Sequence, residues 1–358
     1  MILDDIVQST RERLLDLPEF GTGGGTGAPC RSLAAASRAC RERRAIIAEV
    51  KYASPSRGRI HDGCTPEAIA REFAAAGAAG ISVLTEPAYF GGSTDHLVRV
   101  RRAVSLPILR KDFIIDERQL AETRALGADA VLLIARLLGD RLPPFVDRAL
   151  ALGLEPLVEV HDRSDMERAL ATNAPLIGIN NRDLESLRTD MRQVRKLAPL
   201  VPKDHVVVAE SGYREPADIA GLPDLGVRAV LVGESVLRAA DPADHLRRLA
   251  LAGRRVHLFN PSGRRVGVKI CGLTDEETIQ AAADAGADAV GLVFYPPSRR
   301  FVPRGQALRL VQGLRSGVAA GQCPLIVGLF VDAPVEEVVL LATELGLDVV
   351  QLQGKEDP

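Results

Sequence analysis

No stretch of this 358-residue chain approaches the roughly 20 consecutive apolar residues of a membrane span, so no membrane-spanning helix is expected. An excess of one charge is missing as well: 45 Lys and Arg stand against 47 Asp and Glu, a formal net charge of −2. Without a basic surplus a nucleic-acid partner has little to hold it. Metal-ligand spacing is also lacking. The five cysteines (Cys30, Cys40, Cys64, Cys271, Cys323) are scattered and odd in number, with neither a CxxC pair nor the histidine spacing of a zinc site. They suit reduced thiols in a cytoplasm. The opening segment MILDDIVQSTRERLLDL has acidic residues among its first positions and an apolar spacing of three to four, which predicts a surface amphipathic helix and no signal peptide. Tryptophan does not occur; composition drift is a sufficient explanation, and the absence carries no functional weight.

What is present is an ordinary globular composition, 46% apolar and 26% charged, in a length that suits one barrel of roughly 250 residues plus a remainder of about 100. Eight β-branched, apolar runs recur along the first 240 residues: AIIAEV (45–50), ISVLTE (81–86), PILRKDF (107–113), AVLLIA (130–135), EPLVEV (155–160), LIGINN (176–181), VVVAES (206–211) and AVLVGES (229–235). Segments of helical periodicity such as PEAIAREFAAAGA and SDMERALATN lie between them. Strands alternating with helices imply parallel pairing, and eight such units favour a closed barrel; an open doubly wound sheet is the alternative. The predicted class is α/β, a complete (β/α)8 TIM barrel over residues 1–255. After an expected linker at 256–265 the alternation restarts with VGVKICG (266–272), AVGLVFY (289–295), LIVGLFV (325–331) and VVQLQG (349–354). These four runs over 266–358 read as the first half of a second barrel, whose open sheet would expose two edges and an apolar inner face.

Polar residues gather at one end of the first eight runs. Glu49 and Lys51, Glu86, Lys111 and Asp112, Glu159, Asn180 and Arg182, Glu210 and Ser211, and Glu234 and Ser235 all fall at or just past the C-terminal ends. That is where barrel enzymes carry their sites, although charges can also mark where a strand meets solvent. Glu49 and Lys51 stand two apart on a strand and so face the same way, into the barrel mouth. Lys111 and Glu159 join them from the third and fifth runs. Two lysines and two glutamates converging from separate strands suit acid and base steps on a carbonyl substrate. After the seventh and eighth runs, AESG and VGES put Gly212 and Gly233 where backbone can approach a ligand, with Ser235 expected to cap the helix SVLRAAD. A phosphorylated small-molecule substrate follows from that pairing, though tight turns with an ordinary cap would look the same. The glycine-rich GTGGGTG at 21–27 follows no strand and lacks a Lys-Ser/Thr ending, so it reads as a flexible connector and not a phosphate loop.

Together AEVKYASPSRG, SVLTEPAYFGGS, LRKDFIIDERQ, LVEVHDRSDMERAL, IGINNRDLESL, VAESG and VLVGES resemble the indole-3-glycerol phosphate synthase family in content and order, from MILDDIV through GESVLRAADP. The resemblance implies ring closure of 1-(2-carboxyphenylamino)-1-deoxyribulose 5-phosphate in tryptophan biosynthesis, with loss of carbon dioxide and water and without metal or organic cofactor. It implies Lys111 as the general acid at the substrate carbonyl and Glu159 as the acid–base group of the later dehydration. Lys51 would pair with substrate anions and with Glu159, while Glu49, Asn180 and Glu210 would hold hydroxyls and lysines. Ser54 and Arg182 would bind substrate, and Ser211, Gly212, Gly233 and Ser235 would surround it toward the phosphate. Tyr52 departs from the family's usual basic residue and should face away from the mouth.

The second unit resembles the phosphoribosylanthranilate isomerase family through VKICGLTDEE, AGADAVGLVFYPPSRRFV, VGLFVDAP and VVQLQGKE. There the resemblance implies Cys271 as general base of an Amadori rearrangement and Arg300 at the anthranilate carboxylate. Alone, Cys271 would read as a buried core thiol. Asp332 does not occupy the family acid's motif, which would lie past Pro358. The expectation is therefore a C-terminally shortened fusion: a competent synthase beside an isomerase half without turnover. The alternatives are that the half barrel is a stabilising or interaction module, with self-association as one form, or that the chain is another phosphate-binding barrel enzyme.

Overall fold

The structure is a computed structural model that describes residues 2–17, 30–40, 43–54, 58–60, 63–183, 186–252, 267–318 and 323–355. The expected connector at 21–27 and linker at 256–265 lie outside the described residues. The chain divides into two compact units, residues 1–253 and 254–358.

In the first unit eight parallel strands close into a barrel. They are β1 (Ala45–Val50), β2 (Gly80–Leu84), β3 (Ile108–Lys111), β4 (Ala130–Ile134), β5 (Glu155–Val160), β6 (Leu176–Asn180), β7 (Val206–Glu210) and β8 (Val227–Val232). Each pairs with its sequence neighbours, and β1 closes the ring by pairing with both β2 and β8. Closure rules out the open sheet: every barrel strand is paired on both sides. Alternation along each strand sorts the residues into two cores. Ala45 and Ile47, Leu109, Leu157, Leu176, Val206 and Val208, and Ala229 and Leu231 fill the barrel interior. Ile46 and Ala48, Ile108, Val158, Ile177, Val207 and Val230 pack outward against the helices. The interior set continues upward, two residues at a time, as Glu49, Lys111, Glu159, Gly178 and Asn180, Glu210 and Gly233. The period of two thus converts an apolar plug into a polar mouth without a break in the sheet.

Helix Leu33–Ala39 closes the opposite end. Its leading Ser32 donates through Oγ to Glu155 at 2.5 Å, Glu155 also accepts from the Ala34 N–H at 2.9 Å, and Leu33 is fully buried in the barrel floor. The amphipathic helix read from the first residues spans Ile2–Leu14, buries Ile6 and Leu14, and reaches the barrel through Arg13, 3.3 Å from Asp112.

In the second unit β9 (Lys269–Cys271), β10 (Ala289–Val293), β11 (Leu325–Phe330) and β12 (Val349–Leu352) form one parallel sheet in sequential order, a half-barrel arrangement. The expected apolar inner face is instead mixed. Ala289, Leu325 and Val327 are buried there, but Lys269 donates through Nζ to Gln351 across the same face. Exposed apolar side chains lie on the other side, at Val350 and Leu352 of β12, and on helix Val335–Leu345 at Val335, Val339 and Leu340. Among the described residues, no helix is long and apolar enough to cross a membrane.

Candidate active site

A cavity of about 630 Å³ opens at the C-terminal ends of the barrel strands. Its polar floor is set by inward positions of β1, β3, β5, β6 and β7. Lys111 Nζ lies 2.7 Å from Glu210 Oε2, 3.8 Å from Glu49 Oε2 and 3.9 Å from Glu159 Oε2. Lys51 Nζ lies 2.7 Å from Glu49 Oε1. Lys51 therefore pairs with its neighbour on β1, and the Lys51–Glu159 pair expected from sequence is not formed; Lys111 stands nearest Glu159 instead. The reason is reach: Glu49 and Lys51 share a face two residues apart, whereas β5 lies across the barrel mouth.

Burial works against the charge of Lys111, but the carboxylates of Glu210, Glu49 and Glu159 outweigh it and hold the lysine above its ordinary pKa. For Glu49, burial is likewise outweighed, by the ammonium groups of Lys51 and Lys111, and its carboxyl sits below the usual range. Glu210 goes the other way. It is fully buried beneath Lys111, and desolvation, aided by Glu159, raises its pKa to about 7 despite the lysine. Five charged groups at the ends of four strands thus share a site in which one carboxyl titrates near neutrality, the arrangement used for acid–base work.

The other positions read from sequence distribute around this core. Ser54 lines the cavity, and its buried Oγ has no hydrogen-bond partner among the described residues. Asn180 Oδ1 accepts from the Arg182 N–H at 2.9 Å, and both residues line the wall. Ser211 and Gly212 follow β7 in succession with φ of +62° and +94°. A serine held in the left-handed region stores backbone strain, a feature concentrated at functional sites. The turn is tied down by Asn181, whose Nδ2 donates to the Ser211 carbonyl and to the Tyr213 hydroxyl, both at 3.0 Å. Gly233 and Ser235 face this turn from the end of β8. Ser235 does not cap the helix as expected. The helix starts at Glu234 with Gly233 in the cap position, and Ser235 Oγ donates to the Tyr213 carbonyl at 3.0 Å.

Two polar strand-end residues serve structure. Glu86 accepts from the N–H groups of Ala88, Tyr89 and Phe90 as the cap of helix Pro87–Phe90. Asp112 touches the cavity but is spent on Thr85, Arg110 and Arg13. Tyr52 faces away from the mouth, donating to the Cys64 carbonyl. Sequence reasoning missed the apolar wall, Phe90, Phe113, Leu132, Ile134 and Leu231. Its aromatic members sit on a one-turn helix and in the loop after β3, with no periodicity to link them, so only the third dimension collects them. In the second unit Cys271 is partly buried at the end of β9, in register with Gly291, and Arg300 packs its side chain over Gly272 beside it. Among the described residues no group of His, Cys, Asp or Glu is placed to hold a metal.

An eight-stranded parallel barrel with converging lysines and glutamates at the C-terminal mouth and a strained glycine turn after β7 defines a barrel enzyme of acid–base type. Residues 5–249 match the indole-3-glycerol phosphate synthase family, and the synthase of Acidithiobacillus ferrooxidans is 44% identical over 257 residues, covering 69% of this chain and 98% of that protein. The chain belongs to the indole-3-glycerol phosphate synthase family. Residues 268–358 match N-(5'phosphoribosyl)anthranilate (PRA) isomerase. Across both units, a multifunctional tryptophan biosynthesis protein of Phycomyces blakesleeanus is 38% identical over 345 residues, 87% of this chain, and a namesake of Schizosaccharomyces pombe is 37% identical. This chain spans 45% of the length of each.

Proposed function

We propose that the first unit closes the pyrrole ring of indole-3-glycerol phosphate from 1-(2-carboxyphenylamino)-1-deoxyribulose 5-phosphate. The observation that carries the reading is the single ammonium of Lys111 set among three carboxylates at the barrel mouth. The substrate brings a carboxylate, a phosphate and an aromatic ring, and the cavity offers a counterpart to each: Lys51 and Arg182, the Ser211–Gly212 turn with Gly233 and Ser235, and the wall of Phe90 and Phe113. As the aromatic carbon attacks the substrate carbonyl carbon, the carbonyl oxygen gains negative charge. Lys111 donates its proton there, exchanging its bond to Glu210 for one to that oxygen. Carbon dioxide leaves as the ring regains its electrons. Glu159 then moves the protons that let the hydroxyl depart as water, while Glu49, Asn180 and Ser54 hold the lysines and the sugar hydroxyls in place. A cytoplasmic setting suits five scattered cysteines, an odd number without a CxxC pair.

Incubating the purified chain with this substrate tests the reading: indole product is expected from the natural sequence and none from Lys111→Ala. Full activity in that variant would remove Lys111 from the chemistry. For the second unit we propose an isomerase-type site at Cys271 and Arg300, without turnover in a polypeptide of these 358 residues. Asp332, the acidic residue after β11, accepts from the Lys355 N–H at 2.6 Å, and we assign it no acid role.

A further inference from the structure

Gly178 sits at an inward position of β6, in register with Glu159 on β5 and Val208 on β7, and two residues before Asn180. Its backbone is not in the left-handed region, so conformation alone does not call for glycine. Space does. A Cβ at this position would fall on Oε1 of Glu210, with Glu210 Cδ at 3.4 Å and Leu157 Cδ1 at 3.3 Å. The oxygen in that notch is fully buried and has no hydrogen-bond partner among the described residues, while its sister Oε2 holds Lys111 at 2.7 Å. The carboxylate is therefore seated by shape on one side and by charge on the other. A related notch lies across the mouth, where a Cβ on Gly233 would come within 2.9 Å of both Cβ and Oε1 of Glu49.

We propose that Gly178 is a positioning residue: the absence of its side chain lets the Glu210 carboxylate lie beside Lys111 and so sets where the lysine carries its proton. The proposal rests on the reading of Lys111 as the acid. The colliding atom is the end of a flexible side chain, so Gly178→Ala is expected to displace the Glu210 carboxylate and leave the barrel closed.

Three measurements on the full chain test this. In a crystal structure of Gly178→Ala the Lys111–Glu210 contact should be broken; an unchanged contact overturns the proposal even if the natural chain proved to lack synthase activity. With 1-(2-carboxyphenylamino)-1-deoxyribulose 5-phosphate, kcat should fall roughly 100-fold with KM unchanged. An unaltered kcat beside an active natural enzyme overturns the positioning role and leaves the family reaction standing. Adding Glu210→Asp, a shorter carboxylate, should recover roughly tenfold of that loss, as for residues in direct contact, whereas losses that simply multiply would place the effect of Gly178 elsewhere. Should Gly178→Ala fail to fold, Gly178→Ala with Glu210→Ala decides: a folded double variant identifies the carboxylate as the colliding group, and an unfolded one assigns the glycine to barrel packing.

Discussion

Replacing Lys111 by methionine keeps the stem of the side chain and removes the ammonium shared by Glu49, Glu159 and Glu210. Breaking a buried ion pair from one side destabilises by about 3–5 kcal/mol when the partner must stay charged. Glu210 need not. Its carboxyl already titrates near 7 with the lysine present, and without it the pKa moves higher still. A carboxyl raised in the folded state binds its proton more tightly there than in the unfolded chain. Its stability contribution is fully present below the unfolded value and is lost as pH rises through the folded one. In the natural protein that loss runs from about 4.5 and levels off past about 7; in Lys111→Met it continues upward at about 1.4 kcal/mol per pH unit. Urea unfolding followed by far-ultraviolet circular dichroism at about pH 6.5 and about pH 8.5 should therefore show the variant losing about 2 kcal/mol more than the natural protein over that interval. Parallel stability curves would refute the shared-cation account. Activity can be read on the same samples, because a chain with no tryptophan and four tyrosines leaves indole fluorescence to the product.

Arg110→Met should lower stability by about 3–5 kcal/mol, measured by thermal or urea unfolding, because Asp112 and Glu122 lose the guanidinium that pairs them at 3.1 Å and 2.7 Å; a change under about 1 kcal/mol would show that network to be dispensable. Gly212→Ala forces a side chain onto a φ of +94° with Met191 Sδ 2.5 Å and Thr189 Cγ2 2.8 Å from its Cβ. Strain of about 1–3 kcal/mol there should raise KM for the phosphorylated substrate and the Ki of inorganic phosphate together; an unchanged KM would move the phosphate away from this turn. A polypeptide of these 358 residues is expected to leave phosphoribosylanthranilate unconverted in a coupled assay, and measurable conversion would refute the reading of Asp332.

The barrel was legible because strand alternation survives in the sequence as apolar runs ending in polar residues, and each run contains the strand it announced or most of it. The facing of Glu49 and Lys51 followed from the same parity. Pairing did not, since whether Lys51 or Lys111 stands nearer Glu159 depends on barrel radius and on where β5 lies across the mouth. Ser235 read as a helix cap because serine favours that position, whereas the cap falls two residues earlier, at Gly233, and the serine hydroxyl goes to the Tyr213 carbonyl. Gly178 inside IGIN read as one more strand residue: nothing local marks a glycine kept for the space above it. The inner face of the second sheet was expected to be apolar from hydropathy alone, which cannot show that Lys269 and Gln351 meet across strands.

Arg110 and Lys111 are successive cations on β3, one sealed behind the wall among Thr85, Asp112, Glu122 and Thr123, the other in the mouth. Losing one residue from the turn Val104–Pro107 that feeds this strand would leave net charge and nearly all composition as they were. It would also draw each residue of β3 back one place, setting Asp112 where Lys111 stood in the mouth and pushing the Lys111 ammonium into a slot shaped for a planar fork of donors. Heredity must therefore preserve a count as well as an alphabet along this stretch: an insertion or deletion there exchanges what faces the mouth for what faces the helices, and takes the lysine from its three carboxylates with the charge inventory intact.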